Sequence, residues 1–173
     1  MKFQLAAYLG ACLVAGAVAK PTVYLIRHGE KPDDDGNGLS AEGEQRAQCL
    51  RSVFGASSSY NIGKIMAMTP GDDGKRTRPY ETVLPLSGDL GLDVDLSCDR
   101  DDPKCVKDAV EDYDGDGNIL ICWEHDALTD ISEKLGGDPG DYPSDSYDII
   151  WTQPSPYDEV DTSGSEQCPG LDN

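Results

Sequence analysis

The sequence predicts an α/β fold, a three-layer α/β/α sandwich around a mostly parallel central sheet. Short runs of β-branched and apolar residues alternate along the chain with longer segments of helical periodicity, which is typical of a sheet with helices on its faces. The runs at residues 22–26 and 118–123 are apolar almost throughout, as strands buried on both faces are. With 173 residues, the chain is long enough for one such domain.

The first strand is predicted at residues 22–26, directly before Arg27. After a polar loop, Ser40 is expected to cap a helix that runs to about Phe54. A second short strand is predicted at residues 62–68 and a second helix at residues 77–90. Pro79 suits the first turn of this helix, whereas Pro85 should kink or restart it.

The second half of the chain continues the alternation. The pattern predicts a short strand at 92–96, a helix at 105–113, a strand at 118–123, a helix at 128–135 closed by Gly136 and Gly137, and a strand at 148–152. The domain is therefore expected over residues 20–152. Residues 153–173 are rich in Pro, Ser, Gly and acids, which predicts an acidic, poorly ordered tail.

Residues 1–19 have the features of a secretory signal peptide: Lys2, an apolar run, and a small-residue triplet that ends at Ala19. The apolar run is shorter than the roughly 20 residues that a membrane-spanning helix needs. Cleavage after Ala19 would leave 13 Lys plus Arg against 33 Asp plus Glu, a net charge of −20. Nucleic acid and anionic membranes are therefore not expected as partners, and the mature protein is expected to be extracellular.

Five cysteines follow the signal segment, so at least one cannot pair within the molecule. Cys98 and Cys105 flank a polar loop and are the expected disulfide, given export to an oxidising compartment. Cys122 lies in an apolar run and is the natural buried thiol, while the pairing of the other cysteines is left open. The chain has no Cys-x-x-Cys pair and two histidines, so no structural metal is predicted.

Both histidines follow strands that are predicted to be buried. His28 comes after the first strand with Arg27 beside it, and His125 comes shortly after the run at residues 119–122. In open α/β sheets, the carboxyl ends of the strands face the ligand crevice. We therefore expect the two histidines to share one site.

Four segments resemble, in order and spacing, the motifs of the histidine phosphatase superfamily, which includes phosphoglycerate mutases and acid phosphatases. Residues 23–30 read VYLIRHGE and resemble its Arg-His-Gly motif, and residues 39–47 read LSAEGEQRA and are similar to its Leu-Thr-x-x-Gly-x-x-Gln-Ala helix start. Residues 78–82 (RPYET) resemble its Arg-x-x-x-Thr element, and residues 119–125 resemble the strand that delivers a second pocket histidine.

The resemblance implies that His28 is a nucleophile that forms a phosphohistidine, with no cofactor. It also implies that Arg27, Arg78 and His125 bind the phosphate oxygens. Asp126 resembles the proton donor of the acid phosphatase branch, although it could instead cap the helix that follows. In the mutase branch the donor comes from the region after the second arginine, where this chain offers Asp95, Asp99 and Asp101.

Two neighbours of His28 complete the expected site, and Glu124 lies next to His125. Glu30 and Lys31 flank the nucleophile and are candidates for substrate contact, Lys31 because an acidic protein needs local positive charge for an anionic substrate. Glu124 is expected to repel phosphate or to raise the pKa of His125 so that the ring stays cationic.

These residues predict a secreted phosphatase that hydrolyses phosphomonoesters of small molecules through a phosphohistidine. Two alternatives are kept. A phosphoglycerate mutase-like phosphotransferase would pass the phosphoryl group to an alcohol, and a noncatalytic secreted protein would only bind a phosphorylated ligand. The oligomeric state and the substrate are left open.

Overall fold

A computed structural model of the chain describes residues 20–33 and 36–171. The expected signal peptide at residues 1–19 lies outside the described residues. In chain order the elements are β1 (Val23–Arg27), α1 (Ala41–Val53), β2 (Ile62–Ala67), α2 (Arg78–Leu90), β3 (Val94–Asp95), α3 (Pro103–Glu111), β4 (Asn118–Trp123), α4 (His125–Leu135), β5 (Ile149–Gln153) and β6 (Asp161–Ser165).

The six strands form one sheet in the order β3-β2-β4-β1-β5-β6. The pairs β3–β2, β2–β4 and β4–β1 are parallel, whereas the pairs β1–β5 and β5–β6 are antiparallel. In the central pair, Arg27 of β1 lies opposite Trp123 of β4. The segments that follow β1 and β4 therefore leave the sheet side by side at the same edge.

Two apolar layers cover the sheet, because side chains on successive strand residues point to opposite faces. Leu25 and Ile121 face a core that includes residues of α3 and α4, and Ile26 and Leu120 face a second core with residues of α1 and α2. The predicted α/β/α sandwich with a mostly parallel sheet is confirmed.

Two details of the helices differ from the prediction. Helix α2 runs through Pro85 without a break, since a proline removes one backbone hydrogen bond and the remaining turns are held by buried Val83 and Leu86. Helix α4 begins at His125, three residues earlier than expected, and leaves Glu124 in the capping position. The second histidine therefore lies in the first turn of a helix.

The prediction of a poorly ordered tail is wrong for residues 153–171. Strand β6 extends the sheet, and a disulfide between Cys49 of α1 and Cys168 fastens the segment that follows it. Tyr157 is buried, and its hydroxyl donates a hydrogen bond of 3.0 Å to the carbonyl of Pro21. Polar composition concealed this order because the packing depends on partners more than 100 residues away in the chain.

The expected Cys98–Cys105 disulfide is present, and Cys122 is a buried free thiol. Within the described ranges, every helix is too short or too polar to cross a bilayer.

Candidate active site

The backbone between β1 and β4 fixes His28. Its N–H donates a 3.0 Å hydrogen bond to the carbonyl of Trp123, so the parallel ladder continues one residue beyond Arg27. His28 is 4% exposed. The residue after Trp123 is Glu124, followed by His125. The sheet register thus brings the two histidine segments together, as the sequence predicts.

The imidazole of His28 has a defined tautomer. Its Nδ1 lies 2.7 Å from the carbonyl oxygen of Gly29, and because a carbonyl only accepts, Nδ1 carries the hydrogen and Nε2 keeps its lone pair. Burial, aided by the charges of Arg27 and Arg78, lowers the pKa of His28 to about 4, although the Gly29 hydrogen bond opposes the shift. The ring is therefore neutral at ordinary pH.

Close packing holds the turn that follows His28. A Cβ on Gly29 would lie 3.0 Å from both the Cα and the carbonyl oxygen of Gly43. A Cβ on Gly43 would lie 2.5 Å from the backbone carbonyl oxygen of Glu30. The N–H of Gly29 also donates to Oγ1 of Thr82 at 2.9 Å, and that hydroxyl donates to the carbonyl of Arg78 at 2.7 Å. Thr82 thus links the turn after His28 to Arg78, a role that the sequence motif alone did not reveal.

Arg27 is buried beneath the loop between α4 and β5. Its Nη1 donates to the carbonyls of Ser144 and Ser146 at 2.7 and 2.9 Å, and its guanidinium lies 3.8 Å from the ring centroid of Tyr147. Its Nε is buried without a hydrogen-bond partner among the described residues. An unpaired buried donor costs about 1–3 kcal/mol, so Arg27 is suited to an acceptor such as a phosphate oxygen. No feature of the sequence marked Tyr147.

Arg78 begins α2 and points toward the loop after β1. Its Nε donates to the carbonyl of Gly38 at 2.8 Å and its Nη2 to that of Gly36 at 2.6 Å. These bonds fix the guanidinium plane near His28, whose pKa is lowered by the Arg78 charge. Both predicted phosphate arginines therefore act electrostatically on the predicted nucleophile.

His125 is more accessible than His28, with a side chain that is 22% exposed. Its Nε2 lies 2.9 Å from Oδ1 of Asp126. Burial, followed by the charge of Arg27, lowers the pKa of His125 despite the nearby carboxylates of Asp126 and Glu124. Glu124 does act to raise this pKa, but burial and the charge of Arg27 outweigh it, so the expectation that His125 stays cationic is wrong.

Arg100 forms an ion pair with Glu124, a contact that the sequence did not reveal. Its Nε bonds the carboxylate of Glu124, and its Nη2 lies 3.7 Å from Oδ2 of Asp126. Its carbonyl accepts a 3.0 Å hydrogen bond from the Trp123 indole. The Cys98–Cys105 disulfide closes the loop that carries it. The cysteines identified that loop in the sequence. The contact between Arg100 and Glu124 could not be predicted, because the two residues are 24 positions apart in the chain.

Glu30 does not fit its expected role as a substrate contact. Its carboxylate is bound by Nε and Nη2 of Arg46 at 2.7–3.1 Å, and Nη1 of Arg46 bonds Glu166 at 2.6 Å. Arg46 is 1% exposed. Glu30 therefore belongs to an ion-pair network next to His28 in the chain, because Arg46 of α1 lies within its reach.

The alternative proton donors have less suitable positions than Asp126. Asp95 pairs with Nζ of Lys64 at 2.8 Å. Burial opposes the shift, but hydrogen bonds from Lys64 and Ser97 lower the pKa of Asp95, which favours the charged form. Asp101 is 71% exposed and bonds Arg100, and no contact of Asp99 with either histidine is found. Asp126 is the one that contacts a histidine.

Two hollows open at this edge of the sheet. The basic hollow, about 320 Å³, is lined by Lys31, Asn37, Gly38, Lys75, Arg76, Arg78 and Glu124. The His125 hollow, about 460 Å³, is lined by His125, Asp126, Thr129, Asp141, Tyr142, Pro143 and Ser144. A larger cavity, about 530 Å³, lies between α1 and α2 and contains none of the predicted site residues. We place the candidate site beside these two hollows because His125 and Asp126 line one of them, and Arg78, whose charge acts on His28, lines the other.

The geometry gathers Arg27, His28, Arg78, His125 and Asp126, and Lys31 lines the adjoining basic hollow. Among the described residues, no group of three or more His, Cys, Asp or Glu side chains is arranged to hold a metal ion. The site can offer a neutral imidazole nitrogen, several cationic hydrogen-bond donors and one carboxyl group. Such a set suits the transfer of an anionic group.

No protein-family model and no curated protein matches this sequence. Solved structures do match. The protein histidine phosphatase SixA, in a complex with tungstate, has a TM-score of 0.61 at 13% identity, with 84% of this chain and 97% of that chain covered. A putative alpha-ribazole-5'-P phosphatase from Escherichia coli has a TM-score of 0.59 at 15% identity, covering 86% and 98%.

A mycobacterial glucosyl-3-phosphoglycerate phosphatase matches with a TM-score of 0.56 at 13% identity, covering 84% of this chain and 99% of that chain. At such low identity, the comparisons establish the fold. The chain has the fold of the histidine phosphatase superfamily, and each of these structures is covered over nearly its whole length.

Proposed function

We propose that this chain, which has the histidine phosphatase fold, is a phosphatase that hydrolyses phosphomonoesters through a phosphohistidine at His28. The observation that carries the proposal is the state of His28. It is a buried, neutral imidazole whose Nδ1–H is held by Gly29, and the charges of Arg27 and Arg78 act on it. A neutral imidazole with a free Nε2 is a competent nucleophile toward phosphorus.

In the first step, the Nε2 lone pair attacks phosphorus, and the bond from phosphorus to the leaving oxygen breaks. Arg27 and Arg78 stabilise the charge on the equatorial oxygens, and His125 supplies a further N–H donor. The buried Nε of Arg27 gains an acceptor that the described residues do not provide. Asp126, beside His125, donates a proton to the leaving alkoxide.

In the second step, water attacks the phosphohistidine and the nitrogen–phosphorus bond breaks. The carboxylate of Asp126 takes the proton from water, so both the enzyme and His28 return to their starting states. Inorganic phosphate leaves through the open hollows. Thr82 and Gly43 act as positioning residues because they hold the turn at Gly29 rather than touch the substrate.

We also propose that the protein is exported and acts outside the cell. Two disulfides among the described residues support an oxidising compartment. The net charge of −19 supports a small-molecule substrate over nucleic acid or an anionic membrane as the partner.

The test is hydrolysis of 4-nitrophenyl phosphate by the purified protein, combined with rapid acid-free quenching and intact-mass measurement. We expect turnover and a phosphoryl adduct that maps to His28. The His28→Ala variant should lose both signals, while Lys134→Gln, a change on α4 away from the site, should retain them.

Turnover that persists in His28→Ala would contradict the proposal. An adduct with rapid transfer to glycerol rather than water would favour the mutase-like phosphotransferase. Vanadate binding without turnover or adduct would favour the noncatalytic ligand-binding protein.

A further inference from the structure

We propose that the basic hollow is a second anion subsite, formed by Lys31 and Arg76, and that the substrates are phosphomonoesters carrying a second phosphate or carboxylate group. This inference rests on the proposed function, because it places the reacting phosphate between Arg78 and His28. It adds a substrate class that the nucleophile and its arginines do not specify.

The cations of this very acidic protein differ in whether a carboxylate lies beside them. Among the 13 Lys and Arg residues of the described ranges, seven have a carboxylate oxygen within 4 Å: Arg46, Arg51, Lys64, Lys75, Arg100, Lys104 and Lys107. The six without one are Lys20, Arg27, Lys31, Arg76, Arg78 and Lys134.

Four of those six gather at one edge of the sheet. Arg27 and Arg78 act on His28, and Lys31 and Arg76 line the basic hollow. With 33 acids in the chain, an unpaired cation has many potential partners, so four neighbouring cations without a carboxylate are not expected from solubility alone. Clustered cations that have no carboxylate oxygen within 4 Å among the described residues suit an anionic ligand.

The basic hollow adjoins the predicted phosphate site. Arg78, the first residue of α2 and a predicted phosphate ligand, lines the hollow. The charge of Lys31 contributes to the lowered pKa of His125, which places the ammonium within electrostatic reach of the second histidine. The hollow thus shares Arg78 with the predicted phosphate site.

Few acidic groups line the basic hollow among the described residues. Glu124 is the only acid in its lining among the described residues, and Arg100 neutralises it through an ion pair. Nζ of Lys75 lies 3.3 Å from Oδ2 of Asp73, and both side chains are exposed to solvent. Lys31 and Arg76 are therefore left to bind a second anion. A volume of about 320 Å³ accommodates a phosphate or carboxylate on a short carbon chain.

The experiment separates binding from turnover. Calorimetry on the His28→Ala protein compares fructose 1,6-bisphosphate with fructose 6-phosphate, and 3-phosphoglycerate with glycerol 3-phosphate, at about 0.1 M salt. The first pair tests a second phosphate and the second pair a carboxylate. We expect the ligand with the additional anion to bind about tenfold more tightly, because charge-assisted hydrogen bonds are stronger than neutral ones.

Arg76→Gln and Lys31→Gln should each reduce that affinity ratio several-fold toward one. Lys134→Gln removes the same charge from α4 and should leave the ratio unchanged. Initial rates in the wild-type protein with the same ligand pairs provide a second measurement, in which kcat/KM should show the same preference and the same loss in Arg76→Gln.

Equal affinities within both ligand pairs, or an equal fall of the ratio in Lys134→Gln, would overturn the subsite. In that case, turnover of 4-nitrophenyl phosphate would leave the proposed function standing. Conversely, tighter binding of the ligands with a second anion, without turnover or a His28 adduct, would contradict the phosphatase proposal and support the subsite. A preference in only one of the ligand pairs identifies the second group as phosphate or carboxylate.

Discussion

The two halves of the candidate site start from equivalent positions and end in different environments. His28 follows β1 and His125 follows β4, and these strands are parallel neighbours. Yet His28 is almost completely buried, with its Nδ1 bonded to the backbone, whereas His125 is partly exposed and contacts a carboxylate. The order of the strands brings the two histidines to the same edge of the sheet. Burial and side-chain partners then set the pKa and the hydrogen bonds of each imidazole.

Each half also has its own covalent support. Behind His28, Glu30 is held by Arg46, which bonds Glu166 two residues before the Cys49–Cys168 disulfide. Beside His125, the Cys98–Cys105 loop carries Arg100 to Glu124. The buried half at His28 is therefore supported by contacts that are distant in sequence, and the more exposed half at His125 by a local loop.

The largest expected effect separates the two histidines by activity. His28→Ala should lower kcat/KM for 4-nitrophenyl phosphate by at least about 10⁴-fold, because the covalent route is lost. His125→Ala removes one charge-stabilising donor and should cost about 10²–10³-fold. Steady-state kinetics on both variants tests the comparison, with folding checked by circular dichroism. Equal losses would contradict the division of roles.

The two disulfides should differ in their effect on stability. In the chain-entropy model, a bridge that spans 119 residues contributes about 5 kcal/mol and one that spans 7 residues about 2.5 kcal/mol. The Cys49→Ser/Cys168→Ser variant should therefore have the lower free energy of unfolding in urea. The Cys98→Ser/Cys105→Ser variant is the matched control. The reverse order would show that the C-terminal segment is held chiefly by β6.

The pH dependence should distinguish the rings directly. With two histidines in the chain, the NMR spectrum contains two imidazoles, and His28→Ala assigns them. His28 should titrate with a midpoint near 4, and His125 below the ordinary histidine value. A midpoint near 6.5 for His28 would contradict the burial argument.

The same shift has a consequence for stability. Between the ordinary histidine pKa and about 4, the unfolded chain binds a proton that folded His28 does not. Stability should therefore fall as the pH falls through this window, and His28→Ala should flatten that slope. Urea unfolding at pH 4.5 and pH 7 measures the difference.

The smallest effect is expected at Arg100, a positioning residue. Arg100→Gln leaves the Glu124 carboxylate unneutralised, so the pKa of His125 should rise and kcat/KM should fall by about threefold to tenfold. Arg51→Gln breaks the Arg51–Asp89 ion pair on the surface and serves as the control. An unchanged His125 titration in Arg100→Gln would remove Arg100 from the description of the site.

Much of the fold could be predicted because it depends on local patterns. Apolar runs gave the central strands, and Ser40 was correctly identified as the cap, its hydroxyl accepting from the N–H of Gly43 at 3.1 Å. Cys98 and Cys105 lie close in sequence, so their pairing follows from a short loop. The histidines were placed together by the rule that strand ends share an edge.

By itself, the sequence determined the alternation of strands and helices and the residues that gather at the sheet edge. Only the tertiary structure decided that Glu30 pairs with Arg46 and that Arg100 neutralises Glu124. It also decided that residues 153–171 are ordered. The physical reason is range. Periodicity and capping act over a few residues, whereas these partners meet only after the sheet order has brought distant segments into contact.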